Sequence, residues 1–216
     1  MISTLRSVAP LLAATALLAT SAVVRAESPV FEFTPFAGAR MGGGFDVTNA
    51  EGNDSSVDLG SGASYGLGLG LYRDRQSFYE LLYSSQTSEL DSNVPSLRGV
   101  DVRVDYLQFG GTAFFPQEND RFVPYLSLTI GATLMEPDRG GYDSETKFSG
   151  SLGGGFRFPF NDNVALNLGL RGYLTLIESD TRLFCVSDAQ DAGCLLKSSG
   201  STFFQAEALL GLSVRF

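Results

Sequence analysis

The chain has 216 residues, with 15 Lys and Arg against 24 Asp and Glu and a formal net charge of −9 at pH 7. This negative charge argues against nucleic acid as a partner. Hydrophobic residues make up 44% and charged residues 18%, so the chain carries little charge for a soluble domain.

The N-terminus has the three parts of a secretory signal peptide. Arg6 supplies the positive charge, an apolar run covers residues 8–22, and Val24-Arg25-Ala26 offers a cleavage site. We expect cleavage after Ala26, which divides the chain into a signal peptide over 1–26 and an exported domain over 27–216. A retained membrane anchor is the alternative, although the run is short for a spanning helix.

Beyond residue 26, apolar residues alternate with other residues, a period of two that predicts β-strands. In SYGLGLGLY, for example, Tyr65, Leu67, Leu69 and Leu71 share one face. Turn-forming residues divide the pattern into eight predicted strands, at about 30–45, 63–73, 77–89, 100–115, 121–135, 146–158, 164–178 and 202–216.

The connections between these strands alternate in length. Short ones cover about 74–76, 116–120 and 159–163, and long ones cover 46–62, 90–99, 136–145 and 179–201. Tight turns at one end and longer loops at the other are typical of a transmembrane β-barrel. A soluble sandwich would place charged, water-exposed residues opposite its apolar faces. The sequence therefore predicts an all-β fold, an eight-stranded antiparallel transmembrane barrel.

The face opposite the apolar one is polar with few charges, which suits a confined lumen. The predicted lumen-lining charges are Glu32, Arg40, Glu80, Arg157, Arg171, Glu207 and Arg215. Enclosed charges should form pairs, and an interior of eight strands is just filled by side chains. Inward glycines, at 66, 68, 70, 153 and 155, keep a small pore open as an alternative.

Aromatic residues concentrate near the predicted strand ends, as in the girdles of membrane barrels. The predicted girdle comprises Phe31, Phe33, Phe78, Tyr79, Phe114, Phe115, Phe122, Phe156, Phe158, Phe160, Phe203, Phe204 and Phe216. The alternation continues through Leu210, Leu212 and Val214 to Phe216. We therefore expect the last strand to pair with the first, because unpaired backbone in hydrocarbon is costly.

The stretches FEFTPFAGARMGG, VDYLQFGGTAFF and LLGLSVRF resemble the small outer-membrane barrels of the OmpA/OmpX kind. The resemblance covers nearly all of residues 27–216 and implies location in the outer membrane of a Gram-negative cell. We expect membrane lipid and lipopolysaccharide as partners, and the oligomeric state is left open, with a monomer favoured. The resemblance also implies that Leu210, Leu212, Val214 and Phe216 form the signal read by the outer-membrane assembly machinery, and that ion pairs plug the lumen.

Cys185 and Cys194 lie close together in the last long connection, and in an exported protein such a pair predicts a disulfide. Two free thiols are the alternative. The first long connection carries Asp46, Glu51, Asp54 and Asp58 without Lys or Arg. Such loops serve as solvated surface, as Ca²⁺ or Mg²⁺ ligands facing lipopolysaccharide, or as a binding surface.

The sequence indicates neither an enzyme nor a cofactor or metal site. Lipase-type barrels activate a serine with histidine, and this chain has no histidine. The GGGF stretches lack the Lys-Ser/Thr of a phosphate loop. Three hypotheses remain: a structural or surface protein with a plugged lumen, a narrow porin, and an adhesin or receptor acting through its loops.

Overall fold

The computed structural model describes residues 30–48, 54–92, 101–117, 121–138, 144–177, 182–185, 194–198 and 202–216. Within these, the structure describes only the backbone of 45–48, 54–58, 90–92, 182–185 and 194–198. The predicted signal peptide lies outside the described residues. No helix in the described ranges is long and apolar enough to cross a membrane.

The described residues form antiparallel strands. They are β1 (Phe31–Gly42), β2 (Gly44–Thr48), β3 (Asp54–Leu59), β4 (Gly62–Tyr72), β5 (Ser77–Ser92), β6 (Asp101–Phe114), β7 (Val123–Pro137), β8 (Glu145–Pro159), β9 (Val164–Leu176), β10 (Arg182–Cys185), β11 (Cys194–Ser198) and β12 (Thr202–Arg215). Eight of these strands form the barrel: β1, β4, β5, β6, β7, β8, β9 and β12. Each coincides with a predicted strand to within three residues at either end.

The barrel closes through β1, which pairs with β4 on one side and with β12 on the other. The β1–β12 register places Glu32 opposite Arg215 and Arg40 opposite Glu207. Phe31 and Phe216 extend this pairing, because each backbone N–H donates to the carbonyl of the other, at 2.9 and 3.0 Å. The predicted closed, eight-stranded antiparallel barrel is therefore confirmed.

Burial is inverted relative to a soluble protein. Arg40, Ser84 and Gln205 are completely buried, whereas Leu170 and Leu128 are 69% and 64% exposed. The exposed residues belong to a continuous apolar band on the outer wall, far larger than a soluble monomer tolerates. The period of two produces this pattern, because successive side chains point to opposite faces of a strand.

The first and fourth long connections, predicted as loops over 46–62 and 179–201, contain four further strands. β2 pairs with β3, and β3 pairs with the C-terminal end of β5, at residues 90–92. β11 pairs with both β10 and β2. We call β10, β11, β2, β3 and the C-terminal end of β5 the extension sheet. Gly42 and Gly43 have φ of +86° and +105° where β1 leads into it, a conformation that favours glycine. The two connections are thus joined in one sheet beyond the barrel.

The predicted aromatic girdle is correct only in part. Phe31, Phe33, Phe156, Phe204 and Phe216 are exposed on the outer wall, but Phe114 and Phe203 are buried, at 8% and 0% exposure. Phe78 packs edge-on against Tyr72, with ring centroids 5.3 Å apart. These three phenylalanines occupy inward positions of their strands, because the parity of a residue, rather than its nearness to a strand end, decides which face it joins.

Candidate functional site

The barrel lumen contains all seven predicted charges, and they lie at three heights. We call the end of the barrel that has the short turns, where β1 begins and β12 ends, the turn end. The opposite end is the loop end. The upper layer, nearest the loop end, contains Arg40 and Glu207. The middle layer contains Glu80 and Arg171, and the lower layer contains Glu32, Arg157 and Arg215.

The upper layer is a completely buried ion pair. Arg40 Nη2 lies 3.1 Å from Glu207 Oε1, and both side chains are 0% exposed. Ser84 donates to the same carboxylate oxygen at 3.1 Å, and Tyr173 donates to the other at 2.6 Å. Arg40 also donates to Ser84 and to the carbonyl of Val104. The carboxylate therefore has donors on both oxygens, as a buried charge requires.

Two tyrosines cover the Arg40 guanidinium. The guanidinium carbon Cζ lies 4.9 Å from the centroid of the Tyr106 ring and 5.1 Å from that of the Tyr173 ring. The two rings stack on each other with centroids 4.1 Å apart. Tyr106 donates to Gln205, and Gln205 donates to Gln86 at 3.3 Å. The two rings and this amide chain therefore pack around the ion pair.

The middle layer is a forked pair. Arg171 Nη2 lies 3.0 Å from Glu80 Oε1 and 3.2 Å from Oε2, and Thr112 donates to Oε2 at 3.1 Å. Arg171 Nη1 donates to Ser151 at 3.2 Å. Arg171 on β9 and Glu80 on β5 come from opposite walls, so their contact crosses the lumen.

The lower layer is centred on Glu32. Arg157 Nη2 lies 2.5 Å from Glu32 Oε2, and the Tyr72 hydroxyl donates to the same oxygen at 2.7 Å. The Arg157 guanidinium lies over the Phe114 ring at 5.0 Å. Arg215 is the Cα partner of Glu32, but its Nη2 donates to the Tyr72 hydroxyl at 2.5 Å. The cross-lumen pair with Arg157 has replaced the neighbouring pair that the register offers.

Side chains from neighbouring strands fill most of the space beside the inward glycines. A Cβ on Gly66 would overlap the Phe36 ring, and one on Gly153 would lie 3.3 Å from Arg171 Nε. A cavity of about 60 Å³ remains between the middle and lower layers, lined in part by Glu80, Arg157 and Asn167. It has room for a few water molecules.

Alternation along the sequence predicts Tyr72 and Gln86 on the inward face, but sequence reasoning did not single out Tyr106 and Gln108. Gln108 joins Ser149 and Thr129 at 3.1 and 2.7 Å. A signal for Tyr106 and Gln108 was available, because they alternate with the outward residues Leu107 and Phe109. The same alternation correctly placed Tyr72 inward, next to the outward Leu71.

The other two groups of predicted residues lie elsewhere. Cys185 and Cys194 are Cα partners in the β10–β11 pair, and their side chains lie outside the described part of the structure. Leu210, Leu212, Val214 and Phe216 line up on the outer face of β12, from 37% to 72% exposed. In the described ranges, no three Cys, Asp or Glu side chains form a group suited to a metal ion.

Comparison with known proteins agrees with this architecture. A family model described as the outer membrane protein beta-barrel domain matches residues 11–216. The search of curated proteins finds no match.

Similar solved structures include Neisserial surface protein A, with 16% identity, TM-score 0.56, and coverage of 88% of this chain and 100% of that one. The outer membrane protein OprG from Pseudomonas aeruginosa has 12% identity, TM-score 0.58, and coverage of 88% and 96%. The outer membrane protein AlkL has 12% identity, TM-score 0.54, and coverage of 98% and 97%. At these identities the likeness concerns the fold alone.

Proposed function

Since the chain belongs to the outer membrane protein beta-barrel domain family, we propose that it is a non-conducting, non-enzymatic barrel that acts at the cell surface through its extension sheet. The protein is located in the outer membrane. In this class of barrel the short turns face the periplasm and the longer connections face outward. The turn end is therefore periplasmic and the loop end extracellular.

The buried ion pairs of the lumen are the observation that supports the proposal. Three Arg–Glu pairs lie in the lumen: Arg40–Glu207 joins neighbouring strands, whereas Arg171–Glu80 and Arg157–Glu32 cross the lumen. Removing one partner of a buried pair costs about 3–5 kcal/mol, because the other charge is left uncompensated. A continuous water path would have to separate two or more of these pairs. This energetic cost favours a plug over the narrow porin.

The lack of histidine supports a non-enzymatic role, because the usual base for an activated serine or cysteine is missing. Apart from Arg215, the predicted lumen charges form ion pairs with one another. Membrane lipid and lipopolysaccharide, together with the outer-membrane assembly machinery, are the partners we propose on the basis of location and family.

The second candidate function is recognition of an extracellular partner by the extension sheet. Backbone pairing of β11 with β2 and of β3 with β5 links the first and fourth long connections to a barrel strand. Binding residues are commonly carried on segments that a rigid scaffold positions. This coupling gives the loop end a defined surface, which supports the adhesin or receptor hypothesis as an elaboration of the surface role.

Single-channel recording in a planar bilayer tests the closed lumen. We expect the refolded wild-type protein to give no stable conductance steps. Arg171→Ala combined with Arg157→Ala removes two cross-lumen cations and should introduce small steps, while Leu168→Ala on the outer wall is the matched control and should stay silent. Stable wild-type steps whose size changes in Arg171→Ala would replace the plug with the porin.

A deletion of residues 181–199 tests the surface role, because it removes β10 and β11 and leaves residues 177–180 and 200–201 to connect β9 with β12. Cells carrying the deletion should keep a folded barrel in the outer membrane. They should nevertheless lose the phenotype that distinguishes wild-type cells from cells that lack the protein. Heat-modifiable migration on gels reports the folded barrel. Full retention of the phenotype would contradict a role for the extension sheet.

A further inference from the structure

Arg215 is the inward cation that lacks a carboxylate partner among the described residues. Four inward ion pairs occur there: Arg40–Glu207, Arg171–Glu80, Arg157–Glu32, and Lys147–Glu145 at the loop end. Arg215 is in none of them, and the terminal carboxylate of Phe216 does not pair with it either. The described interior therefore carries one more positive than negative charge, at its periplasmic end.

The donors of Arg215 are largely unused. Its guanidinium lies over the Tyr72 ring at 4.2 Å, and Nη2 donates to the Tyr72 hydroxyl. Its Nε is buried and has no hydrogen-bond partner. An arginine has five N–H donors, and a buried donor without an acceptor is costly. Tyr72 holds the side chain in position, while its charge has no carboxylate partner among the described residues.

Arg215 lines a pocket of about 230 Å³ at the periplasmic mouth of the barrel. Arg75 and Arg157 line the same pocket, together with Asn161 and the exposed Asp162. Asn161 Oδ1 accepts from the N–H groups of Asn163 and Val164, at 2.9 and 2.8 Å, which fixes the amide. Three arginines thus line one pocket in a chain whose formal net charge is −9.

We propose that this pocket binds a phosphate group, supplied by free phosphate in the periplasm or by a phospholipid headgroup of the inner leaflet. Guanidinium groups match the oxygen geometry of phosphate and form strong charge-assisted hydrogen bonds. A tetrahedral anion accepts hydrogen bonds from several directions at once, which suits guanidiniums on different sides of a pocket. Arg215 supplies the unpaired charge, Arg157 is shared with Glu32, and the exposed Arg75 closes over the anion from the turn between β4 and β5.

Calorimetric titration of inorganic phosphate into the full protein, in a phosphate-free maltoside detergent, tests the site. We expect saturable binding that weakens by about tenfold or more in Arg215→Gln, because a charged hydrogen-bond partner is lost. Arg73→Gln is the matched control, since Arg73 is an exposed arginine at the same end of the barrel outside this pocket. It should leave the affinity unchanged. The Arg215→Lys variant keeps the positive charge but lacks the planar guanidinium with its paired N–H donors, and it should bind phosphate with intermediate affinity.

A second arm separates the two sources of phosphate. Short-chain phosphatidylglycerol added to the same micelles should compete with inorganic phosphate if the headgroup enters the pocket, and should have no effect if only free phosphate does. Either result supports the site, provided that Arg215→Gln weakens the binding. The proposal is overturned if neither phosphate source binds, if Arg215→Gln folds and binds as wild type, or if acetate binds more tightly than phosphate.

Discussion

Arg40 and Glu207 lie directly opposite each other in the strand pair that closes the barrel, and they form an ion pair of 3.1 Å with no exposure of either side chain. The pair joins β1 to β12, strands that lie at opposite ends of the chain. This buried ion pair of the lumen therefore also joins the two strands whose pairing closes the barrel.

Breaking this pair on one side should destabilise the barrel strongly. Arg40→Met leaves Glu207 buried without its cation, and we expect a loss of about 3–5 kcal/mol in the free energy of unfolding. Urea unfolding in lipid vesicles, followed by the loss of β-structure, measures it. The double variant Arg40→Met with Glu207→Gln removes both charges and should recover much of the loss. Additive effects of the two substitutions would contradict the coupling.

A charge on the outer wall should cost stability according to its depth. Leu168 lies near the middle of β9, is 51% exposed, and is the Cα partner of Leu210 and Phe156. Leu168→Arg should cost about 2–4 kcal/mol at the bilayer midplane. Leu176→Arg, on the same face at the end of β9, is the control and should cost about 0–1 kcal/mol near the interface. Equal costs at the two positions would show that the outer wall is misassigned.

The two cysteines should form a disulfide in the extension sheet. Residues directly opposite in an antiparallel pair have Cα atoms about 4.5 or 5.5 Å apart, which lies within the range that disulfides span. Cys185 and Cys194 are such partners. Alkylation of the unfolded exported protein should label neither cysteine before reduction and both after it. Labelling of both thiols without reduction would favour the alternative of free cysteines.

The last residue should matter for assembly beyond its local contact. The Phe216 ring stacks on Phe31 with centroids 6.4 Å apart. Deleting Phe216 should reduce the amount of folded barrel in cells more than it reduces the stability of barrels already folded in detergent. Phe31→Ala removes the same ring contact but keeps the terminal aromatic, so it should assemble well. If Phe31→Ala impairs assembly as much as the deletion does, the stacking rather than a signal is responsible.

The short turn after β4 should be stabilised by the ionised form of Asp74. Its carboxylate accepts from the Ser77 hydroxyl and from the Gln76 N–H, both at 2.8 Å, and the Ser77 bond in particular lowers the pKa of Asp74. The stabilisation is therefore complete above the unfolded pKa and is lost as the pH falls through the folded one. NMR titration should find a pKa below the usual value of about 3.9, and Ser77→Ala should raise it. An unchanged pKa in that variant would show that the hydroxyl plays no part.

The fold could be predicted because each strand of a membrane barrel carries its own two-residue pattern of apolar and polar residues. Alternation such as Leu166, Leu168 and Leu170 on one face, with Asn167 and Arg171 on the other, assigns each residue to lipid or lumen without knowledge of the neighbouring strands. The prediction of an outer girdle was wrong for Phe78 and Phe114, because it rested on their nearness to strand ends. The alternation of faces along each strand places both residues inside the barrel.

The sequence by itself determined the number of barrel strands, their approximate limits and the inward set of charges, because the period of two is a property of single strands. Only the tertiary structure decided which charges meet. Glu32 is the register partner of Arg215 yet pairs with Arg157 across the lumen, and this leaves Arg215 to line the periplasmic pocket. It also decided that the first and fourth long connections form one sheet. Such contacts depend on how distant strands are brought together by closure, and that information does not reside in any single strand.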